Sequence, residues 1–314
     1  MSSELSSDAL LQTGSSAMAS LQESNVIQSA ACCGGCAQHT EPEAFVYALG
    51  RLEWRFPSVG LEREFRQRER AMEYTSEDDR ARTAAVLRAN PHLARSVCYV
   101  LSVGGLPAYV VKPVSREVLD ALLTSLESPV DDRFDLIIGF RIGITSPMTC
   151  GGLLAPIVAC EQSYSFTVDE VTEQLSDRAG PVIRAGRVDR SKLKRIAHEL
   201  FHRIARASEN VGALDSHRAL NYLIVQHPGL FIAAAERDGK AALDGIDTQV
   251  ELSAVRRVVT VIFTFVDRAT GVPERLFTRV DVTEQWPFLA GGAGGESAGL
   301  GLQPFLVHTA SASS

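Results

Sequence analysis

Residues 256–284 read RRVVTVIFTFVDRATGVPERLFTRVDVTE, and this stretch decides the fold class. β-Branched and aromatic residues alternate with polar ones, a turn-forming run from Asp267 to Pro273 interrupts them, and the alternation then resumes. Side chains two apart share one face of a strand, so alternation on both sides of a Gly/Pro turn predicts a β-hairpin. At least part of the sheet is therefore antiparallel.

Working outward, DSHRALNYLIVQHP (215–228) reads as a helix capped by Asp215 and stopped at Pro228. SKLKRIAHELFHRIARAS (191–208) reads as another, and SREVLDALLTSLE (115–127) as an amphipathic third. FDLIIGFRIGI and GLLAPIVACEQSYSFTV are apolar and β-rich. RSVCYVLSV and PAYVVKP flank Gly104-Gly105 and predict a second hairpin. LEREFRQRERAMEY (61–74) is helical in composition, and AFVYALG (44–50) is a strand. SEDDRARTAAVLRAN (76–90) opens on Ser76 as an N-cap and ends at Asn90-Pro91. Strands and helices mix without a βαβ rhythm. The expectation is one α+β domain over 42–290, with helices packed on a mixed or antiparallel sheet. Residues 1–41 form a Ser/Ala-rich flexible arm ending in a cysteine cluster, and 291–314 a disordered Gly/Ser/Ala tail.

The composition excludes some functions. A net charge of −7 over 314 residues argues against a nucleic-acid partner, whose binders concentrate Lys and Arg. No apolar run reaches the roughly 18–20 residues that cross a bilayer. The first residues lack a basic segment followed by an apolar one, so no secretory signal is expected. Six cysteines are too few for a disulfide scaffold in a chain of this length, and a cytoplasmic setting with reduced thiols is expected.

Five words stand in one consistent order across most of 44–290: FVYALGRLEWRFPSVGLEREF, MTCGGLLAPIVACEQSYSF, NVGALDSHRALNYLIVQHPGLF, VIFTFVDRATGV and FTRVDVTEQWPFL. Strings such as D-x-HRALNYL have no generic propensity reason to exist. In these words the chain resembles the C-terminal domain of PatG and PatA, the cyanobactin maturation proteases. In that family the domain follows a subtilisin-type protease or macrocyclase domain, and its own role is not established. The resemblance implies a zinc-containing, non-catalytic module of peptide natural-product pathways. These 314 residues leave no room for a protease domain, so peptidase activity of the multidomain relatives is not expected to carry over.

HELFH (198–202) has the spacing of a zinc-protease signature, with His198 and His202 one helical turn apart and Glu199 as the general base. The chemistry also needs a third ligand. No Gly-x-x-His follows and no Glu occurs from 210 to 235; Asp215 and His217 are nearby, but Asp215 is taken as a cap. Leu193, Ile196, Leu200 and Ile204 form the apolar stripe of this helix, and at about 100° per residue the two histidines fall roughly 130–170° away, toward solvent or a partner. The corresponding helix of the resembled family does not carry the pair. GESAG (295–299) fits the nucleophile-elbow pattern, but a Gly-rich tail precedes it and no carboxylate side chain follows.

CCGGC (32–36) carries Cys33 and Cys36 as a C-x-x-C knuckle, half of a structural zinc site. Cys98, Cys150, Cys160 or His39 could complete it, with Cys98 and Cys150 preferred because they lie in or near the family-like words. Cys98 and Cys160 also suit small buried positions on strands. In DSHRALNYL, Arg218 and Tyr222 lie one turn apart, as do His217 and Asn221. With Asp215, and with Trp54 and Arg55 in RLEWRFPS, they are candidates for binding a peptide or partner, or else for capping and buried hydrogen bonds. The function expected is an accessory module of a ribosomal-peptide pathway that binds a precursor peptide or a peptide-modifying enzyme. The alternatives are a zinc metallopeptidase at His198, Glu199 and His202, and self-association as a homodimer.

Overall fold

The computed structural model describes residues 45–73, 78–127, 132–205, 209–253, 255–290 and 302–305. Cys33 and Cys36, His39, the arm to residue 41, Ser76 and GESAG lie outside them.

The first half of the chain builds a barrel. Strand β1 (Phe45–Arg55) leads into α1 (Val59–Arg70), α2 (Asp79–Ala89) and the short α3 (Pro91–Ser96). Then come β2 (Cys98–Val103), β3 (Leu106–Pro113), α4 (Arg116–Glu127), β4 (Arg133–Ile144) and β5 (Pro156–Thr167). The hairpin at Gly104-Gly105 forms as expected, with φ of +58° and +83° at the two turn residues. That left-handed pair matches the twist of the flanking strands. The strands close in the order β1-β2-β3-β5-β4, and β4 returns to β1. All pairs are antiparallel except β3 with β5. This path, with a helix between the third and fourth strands, is that of an OB-fold barrel.

Alternation along the strands sorts two cores. Val46, Tyr99, Leu101, Tyr109, Val111, Ile137 and Val158 pack with Val118, Leu122 and Leu126 of α4. Asp135 is buried among them, and its carboxylate accepts hydrogen bonds from the Leu52 amide (2.7 Å) and the hydroxyls of Ser125 and Ser165. One side chain thus ties β1, α4 and β5 together, and these bonds offset the cost of burying it.

The second half covers the other face of β1 and β4. It comprises α5 (Val168–Arg178), α6 (Gly180–Arg184), α7 (Arg190–Ala205), α8 (Asp215–Gln226) and α9 (Gly229–Arg237). An antiparallel sheet follows from β6 (Ala241–Leu252), β7 (Arg257–Asp267) and β8 (Pro273–Asp281), edged by β9 (Phe288–Leu289) and β10 (Gln303–Pro304). Tyr47, Leu49, Leu136 and Ile138 meet Phe201, Ala219, Leu223, Phe231, Val261 and Phe263 in one core. The α+β expectation holds, with mostly antiparallel sheets.

Several local readings are corrected. Asp78, not Ser76, caps α2, accepting from the Arg80 amide at 2.9 Å. Helix α2 does end before Asn90-Pro91, but Pro91–Ser96 then forms α3, because proline suits a first helical position, so β2 starts at Cys98 and not at Arg95. Asp215 is the first helical residue of α8 and makes no cap bond; Leu214 stands at the N-cap. Within the segment expected to be a loose tail, Gln303 and Pro304 pair with β8, and Phe305 packs edge-on against Phe277 at 5.7 Å.

Candidate functional site

Just before helix α7 stands Asp189, whose side chain accepts from the amides of Ser191 (2.9 Å) and Lys192 (3.1 Å). Its buried face is wider than the four-residue stripe suggests. Ala197, Phe201 and Ala205 are buried along with Leu193, Ile196 and Ile204, while Leu200 only packs at the margin. Those additions rotate the covered face toward the histidines. His202 is left with 15% of its side chain exposed and His198 with 40%, which corrects the expectation that both face outward.

What covers them is Asp132, just before β4. His198 Nε2 lies 3.6 Å from its Oδ2, and His202 Nε2 lies 3.4 Å from its Oδ1. One potential ligand atom from each of the three residues falls within 4.8 Å of the others. The imidazole centroids are 4.6 Å apart, and Phe134 packs against His202 at 5.8 Å. Phe134 in turn meets Phe201 edge-on at 5.2 Å, so an aromatic floor lies beneath the cluster. Asp132 is the third donor that a search downstream of HELFH misses. Its only trace in the sequence is the acidic pair Asp131-Asp132 just before RFDLIIGF, some 66 residues before His198.

Glu199 does not join the cluster. Its carboxylate is 3.1 Å from Arg195 Nη1, one turn back, with 62% of its side chain exposed. Arg195 also holds Asp238 at 2.6 Å. Two imidazoles and a carboxylate can hold a transition ion, but a hydrolytic site also needs a base within reach of the water.

The constellation on α8 is spent internally. Arg218 is 1% exposed, and its guanidinium donates to the carbonyls of Val282 (2.9 Å), Glu284 and Gln285 (3.2 Å) and to Asp215 (3.3 Å). Phe45 lies 5.3 Å from its Cζ. Burial pushes its pKa down to about 10 against the pull of Asp215, leaving the cation intact at neutral pH. Asn221 is equally buried; it accepts from Asn210 (2.6 Å) and donates to the Tyr47 carbonyl (2.9 Å). The adjacent Tyr47 amide donates to Gly212, whose φ is +73° and where a Cβ would stand 2.4 Å from the Tyr47 carbonyl oxygen. These contacts explain much of NVGALDSHRALNYL and fit the buried-hydrogen-bond alternative for Arg218 and Asn221, both 1% exposed. Tyr222 packs against the core, and His217 is half-buried with Nδ1 lacking a hydrogen-bond partner. Trp54 packs with Phe56 (5.0 Å) and Phe65 (6.0 Å), while Arg55 is exposed.

Cys98 and Cys150 do come together, but as a disulfide with Cα atoms 5.7 Å apart. Sulfurs bonded to each other are not thiolates, so in this state the pair does not fit a zinc, and the expectation of reduced thiols is corrected here. Cys160 stays free, buried, with its thiol pushed up to about 12 by desolvation. The bridge pins the loop after β4 over β2 and β3. Cys150 there has φ +51°, beside Gly151 at +68° and Gly152 at +83°. Next to it opens a cleft of about 600 Å³, floored by Val97, Val110 and Ile157, with Thr145 and the exposed Arg95 and Lys112 also lining it.

A family profile described as PatG Domain matches residues 45–256. One solved structure, described as "PatG Domain of Unknown Function", aligns with a TM-score of 0.58 at 19% identity, covering 80% of this chain and 97% of that one. At that identity the likeness speaks for the fold alone. Among curated proteins, no match is found.

Proposed function

From the premise that the chain belongs to the PatG domain family, we propose that it is a non-catalytic accessory module in the maturation of a ribosomally made, cyanobactin-like peptide. In this reading it binds an extended segment of the precursor in the cleft beside β2 and β3. The observation that carries the reading is the cleft itself. Its apolar floor suits side chains of an extended peptide, and Arg95 and Lys112 suit its carboxylates. In OB-fold barrels the face of the second and third strands, with the loops that flank it, takes oligomeric ligands; this is fold analogy and carries less weight than the cleft's own chemistry. No described helix is long and apolar enough to cross a membrane.

The test uses the full chain and labelled synthetic precursors from neighbouring genes. Anisotropy should report binding, and reversing both charges (Arg95→Glu with Lys112→Glu) should weaken it about 10-fold or more, as expected for two lost charge contacts. Mass analysis should find the peptide uncut. The second reading, a zinc metallopeptidase, gains a third donor in Asp132. Against it stands the pairing of Glu199 with Arg195. Cleavage by the wild type that disappears in Glu199→Gln would establish this second reading and overturn the first.

A further inference from the structure

We propose that Asp132, His198 and His202 bind one divalent first-row transition ion, zinc foremost, as a clasp between α7 and the start of β4. The site is independent of the peptide-binding reading, since it needs neither the cleft nor a peptide. It also uses none of the cysteines from which a zinc site was expected.

The spacing argues for an ion rather than for simple ion pairs. Hydrogen-bonded His–carboxylate contacts fall at about 2.7–3.2 Å. The two contacts here are 3.4 and 3.6 Å, each imidazole facing a different carboxylate oxygen. A four-coordinate zinc at about 2.0–2.1 Å from each donor sets those donors about 3.3–3.4 Å apart. Each His–Asp gap is close to that spacing, and one donor atom from each of the three residues falls within 4.8 Å of the others, so small side-chain rotations would close the set on one ion.

The donors argue for the class of ion. Imidazole nitrogen with one carboxylate suits zinc, nickel or copper, whereas magnesium and calcium prefer all-oxygen shells. Three protein donors leave one position for water or a small anion. The frame is rigid: the histidines sit on one face of a helix one turn apart, and Phe134 packs on the less exposed ring. Among the described residues the ion pairs given for Asp132 are those with the two histidines. Lys194 pairs with Glu173, and Arg195 pairs with Glu199 and Asp238. With Glu199 held by Arg195, the clasp is structural rather than hydrolytic.

The test is metal binding by the untagged full chain carrying Cys32→Ser, Cys33→Ser and Cys36→Ser, which removes the N-terminal thiolates. Calorimetry with zinc should give one ion per chain. Asp132→Asn and His198→Ala should each weaken binding about 100-fold or more, since outer-sphere changes alone cost 10–100-fold. Glu199→Gln should stay within about two-fold of the wild type, because it is not a ligand. His198 is partly exposed, so its alanine variant is the safer of the two for folding, and circular dichroism checks both. Cobalt in place of zinc should give visible four-coordinate bands without a thiolate charge-transfer band. Equal zinc affinity in wild type, Asp132→Asn and His198→Ala would overturn the proposal, as would no zinc binding at all or a thiolate band in the cobalt spectrum.

Discussion

Helices α7 and α8 lie in the same core, and each carries a polar row at one-turn spacing. In sequence, the row on α8 offers either a partner site or capping and buried hydrogen bonds, and the row on α7 either an outward-facing helix or a metallopeptidase motif. The structure takes the second alternative on α8 and gives the α7 pair a carboxylate neighbour. Arg218 and Asn221 on α8 are consumed by carbonyls of β1 and of the segment after β8. His198 and His202 on α7 converge with a carboxylate from the residue just before β4. Spacing along a helix fixes which side chains share a face. What that face meets is decided by chain more than 60 residues away, and the sequence pattern does not encode it. The contrast has a physical test: α8 substitutions should act on stability, and α7 substitutions on metal affinity.

The largest effect is expected at Arg218. Arg218→Ala leaves the buried Val282 carbonyl and the part-buried carbonyls of Glu284 and Gln285 without this donor and removes half of the pairing of Asp215, which keeps Arg257 at 3.6 Å. Removing one partner from a buried charged network costs about 3–5 kcal/mol. Lysine should not rescue it, because one ammonium cannot span acceptors set for a planar fork. Chemical denaturation reads this directly. A loss under about 1 kcal/mol would mean that the guanidinium is not the anchor, and the contrast between the helices would fail.

Asn221→Ala should cost less, about 1–3 kcal/mol, since it strips partners from Asn210 and from the Tyr47 carbonyl. The same helix should give a pH signature through His217. Burial lowers its pKa below the ordinary 6.5, with Glu209 pulling the other way. A His with a depressed folded pKa binds protons more weakly folded than unfolded. Its share of stability is therefore complete above about pH 6.5 and lost as the pH falls from there toward the lower folded value. His217→Gln should flatten the decline of the melting temperature over that window; an unchanged slope would assign the decline to other groups.

Much of the fold is legible because it rests on local pattern. The hairpin of β7 and β8, the Gly104-Gly105 turn and the apolar faces of α4 and α8 follow from periods of two and 3.6. Barrel closure is not legible. It depends on β4 meeting both β1 and β5, which no local period records. The same limit hid Asp132. It also separates the expectation of Cys98 and Cys150 as zinc ligands from the disulfide that they form. Asp215 misled for a subtler reason: an acid at a helix start serves equally as a cap or as a first-turn residue pairing with arginines.

On α7 the stability effects should nearly vanish without metal. His198→Ala removes a ring that is 40% exposed and a contact to Asp132 longer than a hydrogen bond. Surface changes of this kind stay within about 0.5 kcal/mol. With saturating zinc the wild type should melt higher while His198→Ala does not, because an ion that binds only the folded state stabilises by mass action. Equal zinc shifts in both proteins would place the ion elsewhere and remove α7's side of the contrast.

The smallest effect is expected at Glu199, the residue that gives HELFH its protease look. In the structure it is a surface acid paired with Arg195 one turn before it, in the less favourable order for a helix pair. Arg195 keeps Asp238 when Glu199 is neutralised. Glu199→Gln should therefore leave the melting curve unchanged within error, with zinc or without it. A hydrolytic site would behave otherwise: loss of the general base alone would slow it about 10²–10⁴-fold while leaving metal bound. Melting and zinc titration of this one variant, set beside a peptide-cleavage assay, separate a metal clasp from a metal catalyst. Unchanged stability and affinity with no cleavage to lose would keep α7 structural, whereas an activity abolished by this single oxygen-to-nitrogen change would make the pentapeptide a working protease motif.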